Sequence, residues 1–318
     1  MNRLESAAKT ALINCMGTKK GEKVLVVTDN TLCELGLIFY QAAVKLEAEA
    51  MLIQMIPRTS NGEEPPGVIA AAMKEADVVL LVTEKSLSHT RARKKSNEAG
   101  ARVASLPGLN ADMMARTLSA DYSAISRLSK QIGDILTEGH RARLTSHAGT
   151  NLVLSIEGRK GHPDTGIYHQ KGAFGNLPAG ESFIAPVEET ASGIIVFDGS
   201  LAGVGKLEEP ITLQVEKGYV VDISGGNSAR ELIELLSIHG KNGRNIAELG
   251  IGTNHEARLT GLVLEDEKVL GTVHVALGDN STFGGTVEAA SHLDGIILYP
   301  TLEIDGHVLL KDGKMLVD

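Results

Sequence analysis

The first 110 residues carry four short, predominantly apolar runs, GEKVLVVTDN (21–30), AMLIQMI (50–56), ADVVLLVTE (76–84) and ARVASLPG (101–108), each separated from the next by helical periodicity. A strand that is apolar residue after residue is buried on both faces. Strands that alternate with helices form a parallel sheet with right-handed crossovers. The first helix spans 2–17, where Leu4, Ala8, Ala11, Leu12 and Cys15 recur at helical spacing and Gly17 ends the run. Others are expected at 31–48, 68–74, 88–100 and 120–136. Asp29 and Asn30 supply the turn and a cap after the first strand. Ser86 or Ser88 is expected to cap the 88–100 helix, with its Arg and Lys residues facing water. The turn TDNTLCELG has neither a Gly-rich dinucleotide fingerprint nor a phosphate loop, so this region reads as scaffold.

The second half has a different texture. Glycine is dense, and short β-type segments dominate, with EKG, IDG and KDG as tight-turn signals between them. One helix interrupts at 227–240, with Asn227 or Ser228 as its cap. With 3% aromatic residues and no Trp, the cores must be built from Val, Leu, Ile and Ala. The expected fold is an α/β N-terminal domain with a parallel sheet (1–135), followed by an α+β, sheet-rich C-terminal metal-binding domain (136–318). The formal charge of −9 leaves no basic footprint for nucleic acid. No run of about 20 apolar residues is present, so no membrane span is expected. Two cysteines without metal or disulfide spacing, and a start lacking the apolar core of a signal peptide, point to a reducing, cytoplasmic setting.

Polar residues intrude on the apolar segments of the second domain. In GTVHVALGDN (271–280), His274 faces away from Val273 and Val275 if the segment is a strand. In SHLDGIIL (291–298), His292 and Asp294 are two apart and share a strand face, which places an imidazole beside a carboxylate. Glu248 lies in NIAELGIGTN, and Glu181 in the turn NLPAGESFIAP. Singly, each has an ordinary explanation: a strand histidine is usually just hydrogen-bonded, and a Glu beside Gly is usually solvated. Their accumulation within about 115 residues is what a hard or borderline cation needs, since its ligands come from several segments.

These segments resemble the M29 family of metallo-aminopeptidases, the aminopeptidase T and aminopeptidase S group. The pattern N-x-P-x-G-E-x-F-x-x-P stands here as NLPAGESFIAP (176–186), and G/A-E-x-x-x-G/P as AELGIGTN (247–254). D-E-N followed by H-I-A-x-G stands as DEK (266–268) followed by HVALG (274–278), and S-x-x-H-x-D as ASHLD (290–294) with the Ser one residue closer. The resemblance is strongest over 176–310. It implies a homodimeric, metal-dependent aminopeptidase, leucyl aminopeptidase-like, that removes N-terminal residues from short peptides with a metal-activated water. It implies a paired divalent-metal site (Zn, Co or Mn) ligated by Glu181, Glu248, His274, His292 and Asp294. Glu267 is a further implied ligand at a longer distance from His274, and Glu248 or Glu181 the general base. Where the family has a Tyr after the histidine motif, this chain has Ser281, and no Tyr follows until Tyr299. A second resemblance is to the ring-cleaving dihydroxypyridine dioxygenases, which share the scaffold and use one Fe(II). His274, His292 and Asp294 then supply the two-histidine, one-carboxylate pattern. The third expectation is a non-catalytic descendant that only binds a small molecule.

Overall fold

The computed structural model describes residues 3–317. Its contacts divide the chain into two units. The first runs to Ser123 and takes back Gly166–Ala179; the second comprises Ala124–Thr165 and everything from Gly180 onward. A single cut at residue 135 therefore differs from the observed division in two ways: the boundary falls inside the helix Tyr122–Glu138, and a short segment returns to the first unit.

In the first unit, the strands Lys23–Asp29, Glu49–Met55, Val78–Val82 and Arg102–Ser105 pair in parallel, as their apolar runs require. The returning segment adds Phe174–Asn176 as a fifth parallel strand beside Arg102–Ser105. The helices lie close to expectation, at Cys33–Lys45, Gly67–Glu75 and Arg91–Glu98. The first is Arg3–Thr10 continued by a π-helical turn at Ala11–Cys15; residue 2 of the expected helix lies outside the described residues. The cap of Arg91–Glu98 is Thr90, whose hydroxyl accepts from Arg93 N, rather than Ser86 or Ser88. Nor does Arg93 simply face water: its guanidinium lies 4.0 Å over the Phe174 ring. Asp29 holds the turn after the first strand by accepting the Thr31 and Leu32 N–H groups.

The second unit contains two antiparallel sheets, of eight and seven strands. Leu144, Leu152, Ile195 and Leu213 of one sheet and Leu249, Ile251, Val273, Val275 and Leu277 of the other belong to a single buried core, closed by Ile132, Leu136, Leu232 and Leu236 from helices. The turns read from EKG, IDG and KDG are two-residue hairpins. Lys217-Gly218, Asp305-Gly306 and Asp312-Gly313 all have positive φ at both positions, the conformation that lets a tight turn follow strand twist. The helix Asn227–Ser237 is preceded by Gly226 and has no side-chain cap, so neither Asn227 nor Ser228 serves as one. Cys15 and Cys33 are not joined in a disulfide, and no described helix is long and apolar enough to cross a membrane.

Candidate metal centre

Four adjacent strands of the seven-stranded sheet build the site: His292–Ile297, Val273–Gly278, Ile246–Gly252 and Glu181–Ile184. Because side chains alternate, the residues that send Val273, Val275, Leu249 and Ile251 into the core send His274, Glu248 and Gly250 to the opposite face. In register, Ala276 lies between Glu248 and Asp294, and Gly278 pairs with His292. Glu181 pairs with Gly252. Small residues thus separate the functional ones. Gly250 is indispensable in this sense: a Cβ built there would come within 1.9 Å of His274 Nε2, so the imidazole lies where any other side chain would be.

His274 is fully buried, with Nε2 3.1 Å from Glu181 Oε2 and 3.2 Å from Glu248 Oε1. The other oxygen of Glu248 lies 3.3 Å from His292 Nε2, which is also 3.4 Å from Asp294 Oδ1. Glu248 therefore joins the two histidines. His292, 32% exposed at its side chain, donates from Nδ1 to the Asp279 carbonyl at 2.8 Å. A carbonyl only accepts, so this bond fixes the proton on Nδ1 and turns Nε2 to the carboxylates, as second-layer bonds do for metal-binding histidines. The resulting donor atoms fall into two overlapping groups among the described residues, Glu181–Glu248–His274 and Glu248–His292–Asp294. The triad His274, His292 and Asp294 does not form a group among the described residues: His274 falls in one group, His292 and Asp294 in the other, and Glu248 is common to both.

Glu267 belongs to neither group. It follows the one-turn helix Val263–Asp266, which is anchored where Asp266 accepts the N–H groups of Thr260 and Gly261. Glu267 Oε1 instead accepts from Lys268 Nζ at 2.5 Å. Lys268 was not singled out as a functional residue in the sequence. It is 1% exposed and also donates to Glu181 Oε1 at 2.6 Å, with Asp164 Oδ2 at 3.8 Å. Ser281, in the place of the family Tyr, is an exposed residue that bonds to Asp279. A ring cluster borders the site: His162 stacks on Phe183 with centroids 5.4 Å apart, and Phe283 meets Phe183 and His292 edge-on at 5.4 and 5.8 Å.

Burial alone pushes His274 and His292 toward the neutral form. Their carboxylate neighbours, Glu181 and Glu248 for His274 and Asp294 and Glu248 for His292, overturn this and hold both well above the ordinary histidine range. Burial would raise Asp294 as well, but the charge and hydrogen bond of His292 hold it well below the usual carboxylate range. Glu267 behaves oppositely: burial, reinforced by the charges of Glu181 and Asp294, outweighs Lys268 and pushes it up to about 8.

The residues fit a divalent cation. Glu248, His292 and Asp294 bring two carboxylate oxygens and an imidazole nitrogen close enough together to share one ion, all from one sheet face. Imidazoles with carboxylates suit Fe(II), Zn(II) and Mn(II) alike. The family model described as NicX: 2,5-dihydroxypyridine 5,6-dioxygenase matches residues 4–317. The chain belongs to this family.

The 2,5-dihydroxypyridine 5,6-dioxygenase of Pseudomonas putida is similar to it at 24% identity over 236 residues, 70% of this chain and 66% of that protein's length. Among solved structures, the 2,5-dihydroxypyridine dioxygenase of Pseudomonas putida KT2440 superposes with a TM-score of 0.82 at 18% identity, covering 99% and 97% of the two chains. AmpT of Thermus thermophilus superposes at 0.73 and 17% identity, covering 99% of each. At these identities the structural likenesses speak for the fold. They bear out the M29-type architecture and the α/β plus sheet-rich arrangement. The aminopeptidase reading, with its peptide substrate, is corrected by the dioxygenase family's match along nearly the whole chain. The chain is a member of an enzyme family whose name denotes ring oxygenation, not hydrolysis.

Two predictions follow from this geometry. Replacing Gly250 by Ala displaces the His274 imidazole, so metal affinity falls by about 10- to 100-fold, the usual effect of disturbing a ligand's support. Calorimetric titration with Mn(II) measures it, and unchanged affinity in the folded variant contradicts the packing described. The second concerns protons. With its pKa raised by Asp294 and Glu248, His292 holds its proton more tightly than an ordinary histidine in metal-free protein, whereas metal binding needs it neutral. Binding therefore releases protons, and affinity weakens with acidification starting above the ordinary histidine value of about 6.5. Titrations at pH 7 in buffers of different ionisation enthalpy detect the release; no release, with affinity flat from about pH 6 to 8, contradicts it.

Proposed function

We propose that this protein is an Fe(II)-dependent dioxygenase that opens a dihydroxypyridine ring. The match of the dioxygenase family along residues 4–317 carries the reading. The site's geometry supports it in two further ways. Imidazoles and carboxylates meet on one sheet face with donor atoms close enough to share a cation. And in a chain with no Trp and five Phe, two of those Phe border that site together with His162.

Glu248, His292 and Asp294 would hold the iron, with His274 on the other oxygen of Glu248. Bound Fe(II) supplies the one-electron chemistry by which dioxygen reacts with a closed-shell ring. The protein's part is placement. The Asp279 carbonyl keeps His292 in one tautomer and orientation. Phe283, half-buried beside His292, and Phe183, packed against Phe283, offer ring faces and edges to a planar heteroaromatic substrate. Glu181 is held in place from both sides, Oε1 by Lys268 and Oε2 by His274 Nε2 at 3.1 Å.

Iron-loaded protein is expected to consume oxygen when given 2,5-dihydroxypyridine, and Asp294→Ala to lower the rate by more than about 100-fold, beyond what loss of an outer-layer contact costs. Phe183→Ala and Phe283→Ala should keep their iron and raise KM by about 2- to 10-fold, the worth of one aromatic contact. An oxygen electrode and elemental analysis read both. Iron-loaded protein that takes up no oxygen with any dihydroxypyridine contradicts the proposal.

A further inference from the structure

Lysine is rarely fully buried, and when it is, the charge must be matched. Lys268 is matched on the side of the site that holds Glu181: its ammonium lies 2.6 Å from Glu181 Oε1, 2.5 Å from Glu267 Oε1 and 3.8 Å from Asp164 Oδ2. Its backbone is fixed at both ends, the N–H donating to Glu265 O at 2.9 Å and the carbonyl accepting from Asn254 N at 2.8 Å. This is a built-in cation among three carboxylates, not a surface side chain that has folded inward.

The two donor groups are unequal in consequence. In Glu181–Glu248–His274, one oxygen of Glu181 is already on the ammonium, so a dication there shares its ligand with a fixed positive charge, and like charges at such range repel. In Glu248–His292–Asp294, no member is hydrogen-bonded to Lys268. Displacing the ammonium outward would leave buried Glu181 with only His274 beside it.

We propose that the Lys268 ammonium takes the place of a second metal cation, so that the site accepts one ion, at Glu248–His292–Asp294. Lys268 is a positioning residue in this account: it sets the metal stoichiometry and holds Glu181, without touching the ion. The inference rests on the reading of the site as a metal centre.

The test is the metal-to-chain ratio of full-length protein stripped by chelator, reloaded with Mn(II) alone and desalted. About one ion per chain is expected in the wild type and in Lys268→Arg, which keeps the charge, and about two in Lys268→Asn, where the charge is gone. Paramagnetic resonance should show isolated Mn(II) in the first two and a coupled pair in the third. Two ions in the wild type overturn the proposal, whether or not Lys268→Asn folds. So does one ion in folded Lys268→Asn. Protein that binds no Mn(II) at all overturns the metal-centre reading, and this inference with it; a single ion in protein without oxygenase activity upholds the inference and counts against the proposed reaction alone.

Discussion

Carboxylates crowd together where water hardly reaches. Glu181, Glu248 and Asp294 are buried on one face of an antiparallel sheet, with Glu267 and Asp164 beside them. An unpaired buried charge is costly, and removing one partner of a buried pair typically costs about 3–5 kcal/mol. Much of the local architecture reads as compensation for this. His274 sits between Glu181 and Glu248, His292 between Glu248 and Asp294, and Lys268 between Glu181 and Glu267. The small residues Gly250 and Ala276 make room for these side chains in the register that brings them together. Lys268 and His274 hold Glu181, and His292 holds Asp294, below the ordinary carboxylate range, whereas burial pushes Glu267 up to about 8. Two of the positive groups are imidazoles, which can lose a proton and become ligands themselves.

The sequence showed much of this frame. Apolar runs separated by helical stretches require a parallel sheet, and that sheet is present. Positive-φ turns at Lys217-Gly218, Asp305-Gly306 and Asp312-Gly313 follow from their residue types. The strand-face argument for His274, and for His292 with Asp294, rests on two-residue periodicity, which survives almost any tertiary context. What stayed hidden was long-range. His162 lies 121 residues from Phe283, and nothing local announces that they meet. Phe174–Asn176 joins the first sheet from within a segment whose neighbours belong to the second unit. Lys268 follows three acidic residues, Glu265, Asp266 and Glu267, a pattern that ordinarily marks a solvated face; only the fold shows it buried. Thr90 is the helix cap, while the Ser86 hydroxyl donates to Ser88 and the Ser88 hydroxyl to Asn176 Oδ1.

The functional misreading has a physical origin too. Peptide hydrolysis and ring oxygenation can use similar donor types on a similar frame, so ligand motifs identify the frame more surely than the reaction. The features that separated this chain from the aminopeptidase pattern were Ser281 in place of Tyr and Lys268 in place of Asn. Both change what surrounds the metal ligands without changing the ligands. Residues outside the first ring of donors carried the information that the donors themselves did not.

One metal ion at one end of a charge-compensated chain of side chains is what this arrangement requires. Crystals loaded anaerobically with iron, with diffraction recorded on both sides of the iron absorption edge, test it directly. The account predicts a single anomalous peak within bonding distance of Glu248, His292 and Asp294, with the Lys268 ammonium still on Glu181. Two peaks bridged by Glu248, or a peak at Glu181 with Lys268 turned away, would contradict it.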